Sequence, residues 1–299
     1  MVQQFLQQLI NGLMLGGVYA ICAVAFTLTI GMLNFLNFTI PALFMLSAML
    51  TWAMTHLGMH WLVAVGIGIL VAIVASLVIE RFTYRYMKAK YGDATEHALP
   101  LVSSLGFLII FEHAVISIWG TDAQVFATPF TDPNLRVGGL IVGLPQLFGL
   151  GLAIAIVWFL SALLKRTRTG RALRAIAENP DASTLMGVEV QRIVPIVFVI
   201  TGILSALAGV LYTISYRDVT PYIGDAVAAD AIAGMVIGGL GNVWGAIIGG
   251  LIVGVVKVLS IAYGGAAIEK IPVWGLLLLI LVVKPTGLFG HTKIGKGKF

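Results

Sequence analysis

Long apolar segments with almost no charge recur along the whole of this 299-residue chain. A helix needs about 20 predominantly apolar residues to cross the hydrocarbon core of a bilayer. Only 10% of the residues are charged, against about 25% in soluble domains. The pattern predicts an all-α, polytopic transmembrane helical bundle in one domain, residues 1–299, with spans near 6–30, 35–55, 61–80, 98–119, 138–164, 193–215, 243–263 and 271–284.

A ninth apolar segment, 228–241, is short, and it is interpreted as a half-helix, a re-entrant piece or a ninth crossing. Basic residues cluster in 81–97, in 165–192 and in the C-terminal tail, so these parts are expected in the cytoplasm. The loops 120–137 and 216–225 are expected outside. With the N-terminus also outside, a cytoplasmic C-terminus requires 228–241 to cross, which gives nine spans.

Several function classes are not supported by the sequence. The basic residues flank apolar spans, so the pI near 9.4 reflects membrane topology rather than nucleic-acid binding. The motifs GxxxxGK[ST], HExxH, CxxC and GxSxG are absent, so we expect no enzyme activity, no catalytic residue and no cofactor in this chain. His56 and His60 stand at i and i+4, but they lack a third ligand nearby, so no metal site is predicted.

The cytoplasmic stretch "TGRALRAIAENPDASTLMG", 169–187, resembles a soluble protein in composition. Helix formers over 170–178 place Leu173, Ile176 and Ala177 on one side, with Arg171, Arg174 and Glu178 toward the other. Asn179 and Pro180 are typical of an N-cap and a first helical residue, and Asp181 in the first turn favours the helix dipole. The sequence predicts two short helices with a turn between them.

The second of these helices ends in an apolar pair, Leu185 and Met186, before Gly187, a natural C-cap. An apolar tip on a cytoplasmic loop requires an apolar partner. Two interpretations are equally compatible with the residues: a helix lying on the lipid headgroups, and a helix docked in a groove of another protein.

Two polar or glycine-rich elements are candidates for a solute pathway. Asn34 and Asn37 lie at i and i+3, and their amides can both donate and accept hydrogen bonds without carrying charge. Thr39 follows them, and Pro41 is expected to kink the span. Gly238, Gly239 and Gly241, with Asn242, are expected to break a helix, which makes either a plain turn or a gate.

Glycines and ionisable residues inside the spans also need partners. Glycines four residues apart, such as Gly245 and Gly249, predict close helix packing. Glu112 and His113 lie in one span, Lys257 lies in another, and Asp230 starts the short segment. We expect helix–helix salt bridges, for example Glu112 with Lys257, although a role in transport is the alternative.

The loop "RALRAIAENPDASTLMGV" resembles the cytoplasmic coupling loop of permease subunits from bacterial ABC importers. The likeness is strongest to the branched-chain amino-acid permease group, and it continues through "ERFTYRYM", "PLVSSLGFLIIFEHAVISIWG", "VIGGLGNVWGAIIGGLIVG" and "LLLILVVKPTGLFG". The resemblance implies an inner-membrane permease whose loop inserts into a cleft on an ATPase. It also implies a homologous permease, identical or not, two cytoplasmic ATPases that bind ATP and Mg²⁺, and an external solute-binding protein.

One element departs from that family. Its usual pattern resembles Asn-Phe-Ala-His-Gly, whereas this chain has Asn37-Phe38-Thr39-Ile40-Pro41. The solute is therefore left open among branched-chain amino acids, urea, short amides and aromatic acids.

The alternative function is an ATP-independent secondary transporter of a small solute, which would need coupling carboxylates and inverted repeats. A further rival is an intramembrane enzyme, which would need a nucleophile–base pair or a metal cluster.

Overall fold

The computed structural model describes residues 2–33, 35–86, 98–126, 134–137, 140–178 and 180–290. Eleven α-helices follow one another along this part of the chain: α1 Val2–Leu33, α2 Thr39–His56, α3 Trp61–Ile79, α4 Ala98–Trp119, α5 Leu144–Arg166, α6 Arg168–Glu178, α7 Pro180–Leu185, α8 Val190–Tyr216, α9 Ile223–Gly238, α10 Val243–Gly264 and α11 Lys270–Val283. The predicted all-α bundle is confirmed.

Short irregular elements complete the fold. A π-helical segment, Glu80–Arg85, extends α3, and a 3₁₀ turn, Ala266–Ile268, precedes α11. Four short strands form two antiparallel pairs: β1 Gln124–Val125 with β4 Asp218–Val219, and β2 Asn134–Val137 with β3 Leu140–Gly143.

Seven helical stretches within the described residues are long and apolar enough to span a membrane: Gln3–Leu33, Trp61–Phe82, Leu99–Trp119, Leu147–Arg166, Val190–Tyr216, Val243–Gly264 and Ala266–Val283. The two other predicted segments, around α2 and α9, also form helices. Helix α9 has only 16 residues, and α2 is packed among α3, α4, α8 and α9. Because α2 is covered by protein, it does not need the apolar surface of a lipid-facing helix. The nine-crossing topology stays a prediction.

The centre of the bundle is built from α1, α9 and α10, whose backbones touch at glycines. Gly234 of α9 lies against Gly249 and Gly250 of α10, and Gly254 of α10 lies against Gly16 of α1. Any side chain there would collide with a neighbouring backbone. The close packing predicted from the four-residue glycine spacing is confirmed, and it brings three helices together tightly enough for their buried polar groups to meet.

Two contacts identify which segments share an end of the bundle. The Lys165 ammonium lies 5.6 Å from the ring centre of Trp244, so the start of α10 is beside the loop 165–192, which is expected in the cytoplasm. At the other end, Phe126 N–H donates to the Arg217 carbonyl at 2.9 Å, next to the β1–β4 pair. The described part of the loop 120–137 and the loop 216–225, both expected outside, therefore share one end.

Candidate functional site

The loop 165–192 folds back onto the bundle directly after α5. Thr167 Oγ1 accepts from Gly170 N at 2.9 Å, which caps the first turn of α6. A side chain at Gly170 would collide with the Leu163 and Leu164 carbonyls, so glycine is needed where α6 turns back against α5. The chain reversal is thus fixed by local sequence.

Helix α6 has one buried side, as predicted from its sequence. Leu173 and Ile176 are only 1% and 4% exposed, and the helix packs against α1, α5 and α8. Arg171 and Arg174 are exposed. The side chain of Glu178 lies outside the described residues. Because its apolar side is covered by the chain itself, α6 forms a rigid base for the segment that follows.

The segment after α6 presents an apolar tip. Helix α7 begins at Pro180, as predicted, whereas Asn179 and the Asp181 side chain lie outside what the structure describes. Gly187 N–H donates to the Thr184 carbonyl at 3.0 Å and Val188 N–H to the Ser183 carbonyl at 3.0 Å. With Gly187 at φ 84°, these bonds form a Schellman C-cap.

The capped turn leaves Leu185 89% and Met186 85% exposed. Their exposure on a fixed turn is the arrangement required for docking into an apolar groove. The function of the whole loop, Arg171 through Gly187, as an ATPase-coupling element stays a prediction.

The start of α2 is a buried polar turn. Asn37 Oδ1 accepts from Thr39 N at 3.0 Å and from Thr39 Oγ1 at 2.7 Å, and both residues are buried. Asn34 lies outside the described residues. The predicted kink at Pro41 is wrong, since Pro41 lies in the first turn of α2, where its missing N–H removes no helical hydrogen bond. A role of Asn37, Thr39 and Pro41 in solute contact stays a prediction.

The predicted helix break between α9 and α10 is confirmed. Helix α9 ends at Gly238, and Gly239 and Gly241 have φ values of 113° and 81°, which other residues rarely adopt. Asn242 Oδ1 accepts from Trp244 N at 3.0 Å and Gly245 N at 3.2 Å, so it caps α10. A role of this break as a gate of the solute pathway stays a prediction.

The C-terminal segment docks on this break, which the sequence did not indicate. Leu288 N–H donates to the Ile237 carbonyl and Phe289 N–H to the Gly238 carbonyl, each at 2.9 Å. Asn242 Nδ2 in turn donates to the Phe289 carbonyl at 2.8 Å. The helix break frees backbone carbonyls at the end of α9, and inside a membrane protein such carbonyls need hydrogen-bond donors. The break was therefore the sequence signal that another segment packs against the end of α9.

A buried ion pair joins α9 to α10. Lys257 Nζ lies 2.6 Å from Asp230 Oδ2, with the two side chains 12% and 3% exposed. The Tyr19 hydroxyl of α1 interacts with the same carboxylate, and Lys257 lies 5.7 Å from the Tyr19 ring centre. The predicted pairing of Lys257 with Glu112 is therefore wrong. The physical reason is the register of the α9–α10 hairpin, in which Gly234 lies against Gly249 and Gly238 lies against Gly245. Continued along the two helices, this register places Ala226 opposite Lys257, about one helical turn from Asp230.

The two histidines considered for metal binding have other neighbours. The His56 ring stacks on Trp52, and His60 Nδ1 accepts from Leu62 N at 3.4 Å at the start of α3. Among the described residues, no group of three or more His, Cys, Asp or Glu side chains is placed to hold a metal ion.

Comparison with known proteins identifies the family. Residues 8–283 match the family model described as "Branched-chain amino acid transport system / permease component". The chain is 30% identical to the high-affinity branched-chain amino acid transport system permease protein BraD of Pseudomonas aeruginosa, covering 99% of both chains. It is 32% identical to the corresponding LivH of Salmonella typhimurium, covering 98% of this chain and 97% of the relative.

A solved structure supports the fold independently. The fold aligns with a chain of PsaBC from Streptococcus pneumoniae in complex with Fab, with a TM-score of 0.54 and 16% identity, over 97% of this chain and 98% of the other. The family consists of transport components, so the expectation of a transport role rather than an enzymatic one is confirmed, as is a multi-pass location in the inner membrane. This chain belongs to the permease-component family of branched-chain amino acid transport systems.

Proposed function

We propose that this permease forms half of the membrane pathway of an ATP-driven importer, together with a homologous permease that is identical to it or not. Two cytoplasmic ATPases supply the energy and hold ATP and Mg²⁺, and an external binding protein delivers the solute. The solute is a branched-chain amino acid or a related small polar molecule. The names of BraD and LivH support this solute class.

One observation carries the proposal: Leu185 and Met186 are almost fully exposed at the tip of a rigid loop. An apolar pair held away from the bundle by α6 and a Schellman cap is suited to a groove on a soluble partner. The apolar side of α6 is already buried against α1, α5 and α8, so the apolar surface that a partner must cover is the Leu185–Met186 tip. The resemblance of this loop to the coupling loop of ABC importer permeases favours a groove on an ATPase over the lipid headgroups as the partner of that tip.

The packing of α6 also suggests how ATP binding to the ATPases moves the membrane-spanning helices. A displacement of the Leu185–Met186 tip moves α6 as a body, because Leu173 and Ile176 fix that helix to the bundle. The helices α1, α5 and α8 then shift with it. In this mechanism the permease alternates between two conformations without covalent chemistry, and ATP biases their populations.

The solute is tested by uptake in the native host. Deletion of the gene should abolish high-affinity uptake of labelled leucine, isoleucine and valine, and the restored chain should recover it. Unlabelled urea, short amides and aromatic acids are added as competitors. Unchanged uptake of all three amino acids in the deletion strain would overturn the branched-chain proposal, and competition by another class would identify the related solute.

A further inference from the structure

The outer helices of the bundle do not expose the same kind of surface. Among the described side chains of α3, α5 and α11, the exposed ones are apolar or glycine except for the charged residues at the helix ends, Lys165, Arg166 and Lys270. The exposed apolar residues include Leu70 and Val74 of α3, Ile154 and Trp158 of α5, and Leu278 and Val282 of α11. Such faces are suited to lipid tails, which offer no hydrogen-bonding groups. These three helices therefore have faces that lipid can cover.

Helix α4 is different. Its exposed side carries His113 and Ser117, with Glu112 partly exposed beside them. Asp225, exposed at the start of α9, lies close enough to Glu112 for the two carboxylates to repel each other, so we group it with the three residues of α4. We name Glu112, His113, Ser117 and Asp225 the outer polar face.

Glu112 and His113 are the members of the outer polar face that lie deepest within a membrane-spanning helix, α4. Glu112 is seven residues before Trp119, the last residue of α4, which corresponds to about 10 Å along the helix axis. His113 Nδ1 is 3.0 Å from the Ile109 carbonyl, so one ring nitrogen is bonded within the helix. Carboxyl and imidazole groups at such depth are turned toward protein or water rather than lipid.

The exposed side of α4 also carries apolar residues, and these favour a protein neighbour over a water-filled channel. Ile109, Ile110 and Ile118 are 54%, 60% and 67% exposed and alternate with the polar groups. A mixture of apolar area and dispersed polar groups is typical of a protein–protein interface. Of the partners in the proposed importer, the ATPases and the binding protein lie outside the bilayer, so only the second permease can reach this depth.

We infer that the outer polar face of α4 and α9 is turned toward the second permease subunit rather than toward lipid. This inference rests on the proposed function, because it takes its partner from the proposed assembly. The apolar isoleucines contact the neighbouring permease, and the polar side chains meet its polar groups or the water between the two subunits.

The inference is tested by photo-crosslinking of the intact importer in native membranes. A benzoylphenylalanine at Ser117 should give a cross-linked product that mass spectrometry identifies as a permease chain. The same group at Ile154 of α5 or Leu278 of α11, both 62% exposed, should give lipid adducts only. A Ser117 site that behaves as the two control sites would overturn the inference.

Co-purification of an ATPase from the same membranes separates this result from the proposed function. Retained ATPase without a permease cross-link at Ser117 contradicts the inference and leaves the proposed function standing. A permease cross-link at Ser117 supports the inference whether or not an ATPase is present. Absence of the ATPase counts against the proposed function.

Solvent access gives a second test that does not depend on a cross-link. The sole cysteine, Cys22, is buried and can be replaced by Ala. In that background, His113→Cys and Ser117→Cys should react with a membrane-impermeant maleimide at least about tenfold faster than Ile154→Cys. Equal and slow reaction at all three sites would show that no water reaches the face, and a Ser117 cross-link to lipid alone would then overturn the inference.

Discussion

Lys257 of α10 and Asp230 of α9 form an ion pair of 2.6 Å inside the helical bundle. The pair lies in the same three-helix centre as the glycine contacts, and Tyr19 of α1 completes it. A single buried charge is costly in this environment, whereas a bonded pair is tolerated. The two residues therefore hold α9, α10 and α1 in register.

Removing one charge of this pair should destabilise the protein strongly. Asp230→Asn or Lys257→Met leaves the other charge buried without its partner, and we expect a loss of about 3–5 kcal/mol. The double variant should recover most of that loss. Unfolding midpoints of the detergent-purified protein measure the effect.

The exposed pair Glu189–Arg192 provides the control for that prediction. Its atoms also lie 2.6 Å apart, but the side chains are 61% and 79% exposed, so Glu189→Gln should cost about 0–1 kcal/mol. Equal effects at the buried and exposed pairs would contradict the role given to Asp230 and Lys257.

The glycine contacts of the centre should not tolerate even one methyl group. A Cβ at Gly249 would overlap the Gly234 carbonyl and lie 2.8 Å from Gly238 N. Gly249→Ala should therefore destabilise the protein by about 1–3 kcal/mol. Gly275→Ala in α11 is the matched control, because nothing lies within 4 Å of its added Cβ. A Gly249 variant as stable as the Gly275 variant would refute the packing account.

Asn242 should prove to have two separable roles. Asn242→Ala removes both the α10 cap and the bond to the Phe289 carbonyl, and we expect a loss of about 0.5–2 kcal/mol from the cap. Asn242→Asp keeps the capping oxygen but lacks the amide donor. Hydrogen exchange at the Leu288 and Phe289 amides should rise in both variants, and the stability loss should be larger for Ala.

A control for the Asn242 prediction is Asn11→Ala. Asn11 bonds only to Gln7 and Gln8 of its own helix among the residues described, so exchange at Leu288 and Phe289 should not change. Unaltered exchange in both Asn242 variants would show that Asn242 does not hold the C-terminal segment.

The helices were predictable because each one is set by its own residues. Apolar length placed the spans, Gly238 and Gly239 placed the break, and Pro180 and Gly187 placed the two ends of α7. The buried side of α6 followed from the positions of Leu173 and Ile176. These features depend on neighbours in the sequence, so no tertiary information was needed.

Contacts between residues far apart in the sequence were harder to predict. The sequence analysis paired Lys257 with Glu112, and only the hairpin register of α9 and α10 selects Asp230. The docking of Leu288 and Phe289 on the α9 carbonyls required the C-terminal segment to return across the bundle. Pro41 was misplaced because the start of α2 depends on the Asn37–Thr39 turn rather than on apolar length.

The coupling of the loop to an ATPase is the central claim, and one measurement tests it directly. The chain is purified from its native host with Leu185 and Met186 intact or both changed to Asp, and the co-purifying ATPase is quantified. Leu57 and Met59, an exposed apolar pair in the turn between α2 and α3, are changed to Asp as the control. We predict that the intact chain and the control retain the ATPase and that the Leu185→Asp, Met186→Asp variant loses at least about 90% of it. Equal retention by all three chains, or no ATPase with any of them, would contradict the account.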